Sequence, residues 1–358
     1  MSKAGEKSMR ILVIGAGNSG LATAAHLAYN GHSITLWNRS KTTIQRICST
    51  KAIFCEGIIN GKIPIENVTN DIKEAVHNAE IILVTTPASS HEDVAKLLAQ
   101  SMTKEIPIVL NPGRTFGALN FYLTFKKWNP EINPQIAETQ TILYTCRKMN
   151  EDRVVIYSLK KIVKIAALFS KDLKQIINKI PTCIRSYFDL SNSFLETSFG
   201  NVGMILHCAP FILNAGWTEC ETADYKYYYD GITPTIGKLI EKIDHKRLLV
   251  AEKLGCNILS TKEWMKEEYG VEGETLYACI KNNSSYKEID APKSLNHRYI
   301  FEDVPYGLVP LEKIGLELGI DMKEVTVVID LANILMERDF RKSMEYISLN
   351  VLQKYVEI

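Results

Sequence analysis

Two stretches of the chain gather the side chains best suited to proton and carboxylate chemistry. The first, Phe199-Gly-Asn-Val-Gly-Met-Ile-Leu-His-Cys-Ala-Pro210, carries His207. Imidazole ordinarily titrates near neutrality, so a histidine in a cleft can both give and take a proton there. Read as a helix, the stretch places Gly203 four residues and Gly200 seven residues before His207, on the histidine's face. A glycine inside a helix costs about 1 kcal/mol against alanine, so two of them call for a reason. Space for a ligand beside His207 is one reason, and close helix–helix packing is the other. Pro210 cannot donate to the carbonyl of Leu206, so the helix is expected to bend or end just past the histidine. The second stretch, Leu295-Asn-His-Arg-Tyr-Ile-Phe-Glu-Asp-Val-Pro-Tyr-Gly307, sets His297, Arg298, Glu302 and Asp303 among aromatic residues. Arg298 has the fork that suits a planar carboxylate, and Asp303 could orient an imidazole or accept a bond from a substrate amine. The plainer alternative is a surface loop holding an ion pair. Tyr227-Tyr228-Tyr229, inside Tyr225–Asp230, reads as a core or lid cluster of aromatics.

Such side chains need elements to hold them, and the clearest lies at the start. Arg10–Gly20 reads R-I-L-V-I-G-A-G-N-S-G: a continuous apolar run, then Gly15, Gly17 and Gly20 at G-x-G-x-x-G spacing. The run suits a parallel strand covered on both faces. An alanine-rich helix follows to Tyr29, stopped by Asn30-Gly31, and a second strand spans Ser33–Trp37. In this setting Gly15 permits the tight turn, Gly17 admits a pyrophosphate and Gly20 brings helix onto strand. Ala16, Asn18 and Ser19 share the turn, whose free N–H groups would face phosphate. After the second strand come Asn38, Arg39, Ser40 and Lys41, with no acid to accept bonds from an adenosine ribose. Cationic donors there suit a 2′-phosphate, so NADP(H) is favoured over NAD(H). The bland alternative is a solvated basic turn. Thr86 and Pro87 end another buried strand, Glu80–Thr86, and belong at the cofactor's edge. His91 is read as the opening of the next helix.

Further along, Asn60-Gly61 marks a hairpin, and Asp71–His77 and Glu92–Met102 read as helices. Strands are expected at Ile106–Leu110 and Gln135–Thr141. With Gln135–Thr141, Tyr144–Lys148 and Arg153–Tyr157 are expected to widen the same sheet, and Lys161–Phe169 reads as a further strand. The loop Asn111-Pro112-Gly113-Arg114 leaves a strand's carboxyl end, where Gly113 would allow a close approach. Beyond Asp189 helical periodicity takes over, with Thr233-Pro234 opening a long helix that Gly255 ends. The expected fold is therefore an α/β Rossmann dinucleotide-binding domain, residues 9–188, followed by a mostly helical substrate domain, residues 189–358. The chain's 358 residues suffice for two cores. A formal net charge of +1 gives no global field to attract nucleic acid or an anionic membrane. Eight cysteines without a C-x-x-C pair fit neither the usual zinc spacings nor a disulfide framework, which points to reduced thiols and a cytoplasmic location. Met1–Met9 is polar and reads as a frayed leader, not a secretory signal. The longest apolar stretch, Gly203–Trp217, is too short and too interrupted to span a bilayer.

Over nearly its whole length, about Arg10 to Gly319, the chain resembles the opine dehydrogenase family. The matching pieces are G-A-G-N-S-G, T-T-P-A-S-S-H, N-P-G-R-T-F-G-A and A-E-T-Q-T with C-R soon after. In the second half they are G-N-V-G-M-I-L-H-C-A-P, D-G-I-T-P and H-R-Y-I-F-E-D-V-P-Y-G-L-V-P. The resemblance implies reductive condensation of an amino acid with a 2-oxo acid, using a nicotinamide hydride, in a cleft between the two domains. It makes His207 the general acid/base, Asp303 the acid that fixes and charges it, and Arg298 the holder of the oxo-acid carboxylate. Asn201, Thr139 and Tyr306, inside or beside the matching pieces, are expected to bind substrate. Pairing into a homodimer is left open. Two rivals use the same two-domain plan: a 2-oxo-acid, ketopantoate or glycerol-phosphate reductase, which would typically carry a lysine in the second domain, and an NADP(H)-sensing binding protein, which would not need His207, Arg298 and Asp303 to converge. No lysine lies between Asn192 and Lys226.

Overall fold

The computed structural model describes residues 7–356. Most of the leader read at Met1–Met9 lies outside them, although Met9 packs partly against the core. The chain divides into two compact units after Thr197, and each is described in turn.

The first unit runs β1 (Arg10–Ile14), α1 (Asn18–Tyr29), β2 (Ser33–Trp37), α2 (Lys41–Thr50), β3 (Ala52–Gly57), β4 (Gly61–Pro64), β5 (Asn67–Thr69), α3 (Ile72–Val76), β6 (Ile81–Val84), α4 (His91–Ser101), β7 (Ile108–Leu110) and α5 (Gly117–Trp128). It continues through β8 (Ile136–Thr139), β9 (Tyr144–Asn150), β10 (Arg153–Leu159), β11 (Val163–Ala167), α6 (Leu173–Lys179), α7 (Thr182–Arg185) and β12 (Phe188–Leu190), and ends inside α8 (Phe194–Phe199). Eight strands form one sheet in the order β12-β11-β8-β7-β6-β1-β2-β5, parallel except where β11 meets β8. Four of the five residues of β1 are buried, as expected of a strand covered on both faces.

One expectation needs correction here. Tyr144–Lys148 and Arg153–Tyr157 do not widen the main sheet. They form a second sheet with the hairpin of β3 and β4, in the order β4-β3-β10-β9. The edge of β8 is already taken by antiparallel β11, so β10 pairs instead with β3, in parallel. This small sheet buries alternate residues, Val154 and Ile156 among them, in the core that also holds Leu21, Ala24 and Ala25 of α1. The first compact unit runs on past the expected boundary near Asp189, to Thr197. β12 straddles that position and completes the sheet, and Thr197 still donates to Glu138 of β8 at 2.7 Å.

The second unit is helical: α9 (Gly203–Leu213), α10 (Ala215–Thr218), α11 (Pro234–Lys253), α12 (Thr261–Tyr269), α13 (Leu276–Asn282), α14 (Arg298–Phe301), α15 (Val309–Glu317), α16 (Lys323–Leu335) and α17 (Leu349–Gln353). α9 is apolar nearly all round and sits in the core, as such a helix must. Across it lies α11, begun by Thr233 accepting from the Ile236 amide at 3.3 Å and closed by Gly255 in the left-handed region. The fully buried Arg247 of α11 pairs with Asp244 at 2.7 Å and donates to the carbonyls of Phe199 and Leu259. Buried charge is tolerated only when so satisfied. Through Phe199 this pair pins the turn that leads into α9. Among the described residues no helix is long and apolar enough to cross a membrane.

Candidate active site

In the second unit, His207 and Asp303 meet. Nδ1 of His207 lies 2.9 Å from Oδ2 of Asp303, whose side chain is fully buried, while the imidazole keeps 15% of its surface open. A carboxylate can only accept, so the proton sits on Nδ1 and Nε2 is left to exchange protons. Tyr299 of α14 stacks on the imidazole, ring centroids 3.9 Å apart at 16°. The hydroxyl of Tyr228 lies 3.3 Å from Nε2. Burial pushes the Tyr228 phenol well above its ordinary value, so it remains a donor toward Nε2. The tyrosine cluster is thus part of the histidine's surroundings, which the sequence did not disclose.

His297 is the other imidazole nearby, and it is unsuited to proton donation at neutral pH. Burial first, then the charge of Arg298, lowers its pKa to about 4. It caps α14 instead, accepting from the Tyr299 amide at 3.4 Å. Arg298 opens α14 with its side chain 49% exposed and Nε 3.5 Å from Glu302. Asp303 precedes a π-type turn, Val304–Leu308, in which Tyr306 leaves helical backbone (φ −110°, ψ 18°). Such turns are frequent at functional sites. Gly307 brings this turn onto α9, since a Cβ there would stand 2.8 Å from Met204 Cβ and 3.6 Å from Nδ2 of the buried Asn201. One expectation about α9 is corrected. Gly200 lies in the turn before the helix and Gly203 is its first residue, so neither glycine sits in the helix interior. Of the two outcomes expected past His207, a bend or an end, the end is not seen: the helix runs through Pro210 to Leu213. The hydroxyl of Tyr227 lies 3.3 Å from the Leu206 carbonyl that Pro210 cannot serve, and 2.7 Å from that of His207.

The first unit presents a nucleotide cradle. Gly20 is obligatory, because a Cβ there would stand 1.8 Å from the Gly15 carbonyl oxygen. A Cβ on Gly17 would meet nothing within 4 Å, so open space lies over the turn, and no side chain caps the start of α1 at Asn18 and Ser19. The hydroxyls of Ser19 and Thr86 are buried without a hydrogen-bond partner among the described residues. Open space, uncapped amides and unsatisfied hydroxyls fit a dinucleotide. Pro87 is exposed beside Thr86. Asn38 holds the turn, accepting from the Ala16 amide at 3.1 Å and donating to Ser40 O at 3.1 Å. Ser40 caps α2 through the Thr43 amide. Arg39 pairs with Asp93 of α4 at 2.8 Å, both side chains exposed at 69% and 64%. His91 does open α4, buried, with Nε2 3.3 Å from Thr86 O. Thr139 is fully buried, its hydroxyl within reach of Leu110 O, Thr141 O and Asn111 Oδ1, where it braces the loop after β7. Among the described residues no group of acidic, histidine and cysteine side chains could hold a metal.

Comparison with known proteins agrees with both halves. The family described as NAD/NADP octopine/nopaline dehydrogenase, alpha-helical domain, matches residues 190–336. The NAD-dependent glycerol-3-phosphate dehydrogenase N-terminus matches residues 10–112. The opine dehydrogenase of Arthrobacter sp. (strain 1C) is 36% identical over 338 residues, covering 94% of this chain and 93% of that one. Octopine dehydrogenase solved with NADH and pyruvate superposes with a TM-score of 0.77 at 16% identity, covering 98% and 99% of the two chains. Yersinopine dehydrogenase with NADP+ gives 0.76 at 13% identity over 97% and 95%. The chain belongs to the opine dehydrogenase family and is an NAD(P)-dependent enzyme that reductively joins an amino acid, or a related amine, to a 2-oxo acid.

Proposed function

We propose that His207 is the general acid/base of this condensation, with Asp303 as its orienting partner, and that NADPH is the preferred reductant. The observation that carries the first part is the 2.9 Å contact between Nδ1 and the buried carboxylate. It leaves Nε2 to deliver a proton to the oxo-acid oxygen as the amine adds and water departs. A reduced nicotinamide, when bound, supplies the hydride that converts the resulting C=N bond to an amine. The half-exposed guanidinium of Arg298 faces a choice between Glu302 at 3.5 Å and a substrate carboxylate, and a bidentate carboxylate is the stronger partner. Asn201 and Tyr306 complete the substrate contacts from the turns that flank α9 and follow Asp303. Thr139 contributes through the loop it braces.

Preference for NADPH is supported by Arg39 and Lys41 after β2 and by the lack of an acid at that strand's end. Asp93 is a counterweight, but an exposed pair of this kind is worth only about 0–1 kcal/mol, so Arg39 can exchange it for a 2′-phosphate. We also infer a reducing cytoplasmic setting, in keeping with eight cysteines that form no disulfide among the described residues; light scattering would show whether the chain pairs into a homodimer.

The deciding experiment follows NADPH and NADH oxidation with a panel of 2-oxo acids, with and without each amino acid. Oxidation is expected only when both substrates are present, faster with NADPH, and abolished in His207→Ala. Turnover with an oxo acid alone would replace this reading by a simple ketoacid reductase.

A further inference from the structure

We propose that Lys148 is a cofactor-binding residue, its ammonium group serving as the cation for the dinucleotide pyrophosphate over the Gly15–Gly20 turn. The inference rests on the dinucleotide reading of that turn. β9 is the outer strand of the second sheet and lies against the start of α1. There the backbone amide of Lys148 donates to Asn18 Oδ1 at 2.8 Å, and its Nζ donates to the Ala16 carbonyl at 2.9 Å. Both partners belong to the turn itself. An ammonium group has three N–H bonds, and Ala16 takes one. No carboxylate pairs with Lys148 among the described residues. Glu151 acts on it only through space, and partial burial holds its pKa below the ordinary lysine value.

A partly dehydrated cation without a counter-ion, fixed at the rim of an open anion cradle, is half of an ion pair. The other half fits. A pyrophosphate brings two negative charges, whereas the end of α1 offers about half a positive charge. The space over Gly17 is empty of protein atoms. The second sheet thereby gains a role, since it carries a charge to the turn that the main sheet does not supply. The competing explanation is a mechanical latch, in which Lys148 only ties β9 to the turn.

Lys148→Met and Lys148→Arg separate the two. Apo melting temperature, dissociation constants for NADPH and NADH at low and high salt, and the melting shift on adding cofactor are measured for both variants and the parent. Lys148→Met should weaken NADPH and NADH alike by about tenfold or more at low salt, the loss of one charge-assisted bond. The loss should shrink at high salt, and Lys148→Arg should bind within about threefold of the parent. Parental affinity in Lys148→Met overturns the proposal. So does a Lys148→Arg protein of normal apo stability that binds as weakly as Lys148→Met, because then charge is not what the cofactor needs. Failure of the parent to bind either cofactor would overturn the dinucleotide reading and this inference together, an outcome distinct from both.

Discussion

Asp303 illustrates how much one atom's environment decides. Its carboxylate is buried and aimed at Nδ1 of His207, and Tyr228 meets the opposite nitrogen. Asp303→Asn keeps the volume but offers an amide that can turn its N–H toward the ring. The imidazole would then move its proton to Nε2 and lose the charge that stabilises its protonated form. By analogy with other histidine–carboxylate pairs, kcat should fall by about 10²- to 10⁴-fold. The dissociation constant for NADPH should stay near that of the parent enzyme, because the cofactor's phosphates are held by the first unit. Steady-state kinetics and a binding titration on the same preparation check this. An unchanged kcat would remove Asp303 from the mechanism.

Elements set which residues reach such positions, and here legibility varies with cause. β1, the glycine turn and β2 were readable because a local pattern dictates them: an apolar run, three glycines and a second apolar run. The partner of β10 was not, because alternating burial says that a strand has one covered face and nothing about which edge it joins. Pro210 inside α9 leaves a bend and an end equally open in sequence for a similar reason. The missing donor is local, but the group that compensates, Tyr227, comes from a loop 17 residues further on. α1 carries a consequence of its own. His26, near its end, lies 2.9 Å from the hydroxyl of buried Tyr144, and burial lowers its pKa to about 4. The phenol therefore donates and the imidazole must stay neutral. In the unfolded chain His26 takes up a proton near pH 6.5, before the folded protein does. Stability conferred by the neutral form is thus fully present above about pH 6.5 and is lost as pH falls toward 4. The loss should amount to roughly 2–3 kcal/mol. In His26→Gln the part of the acid destabilisation between pH 6.5 and 4 should flatten, as read by urea unfolding at a series of pH values. An identical pH slope in both proteins would show that His26 does not contribute.

At the scale of the whole molecule, the sequence made both halves of the enzyme recognisable, and it offered His207, Arg298 and Asp303 as candidates by residue type, yet only the resemblance to a family joined them into one site. His207 and Asp303 are 96 positions apart, and nothing local to either one indicates that they touch. The eight cysteines make the reverse point, since their spacing, with no C-x-x-C pair, already reads as reduced thiols, and their individual characters come from the fold. None of the eight forms a disulfide. Burial raises the thiols of buried Cys55 and partly covered Cys146 to about 11, and Cys208, Cys256 and Cys279 are buried. Cys220 differs: its sulfur lies 3.3 Å from the Thr222 hydroxyl, a contact that lowers its pKa, and it is not buried. Because the thiolate is the reacting species, Cys220 should be modified first by a disulfide reagent such as Ellman's under native conditions. Cys48 and Cys183, both partly covered, should follow more slowly, and all eight thiols should react once the chain is unfolded in guanidinium. Cys220→Ser should remove the fast native phase and leave seven thiols in denaturant. A fast phase that survives this substitution would mean that another thiol is the accessible one. Fewer than eight thiols in unfolded parent protein would mean that some cysteines pair, which would undercut the case for a reducing compartment.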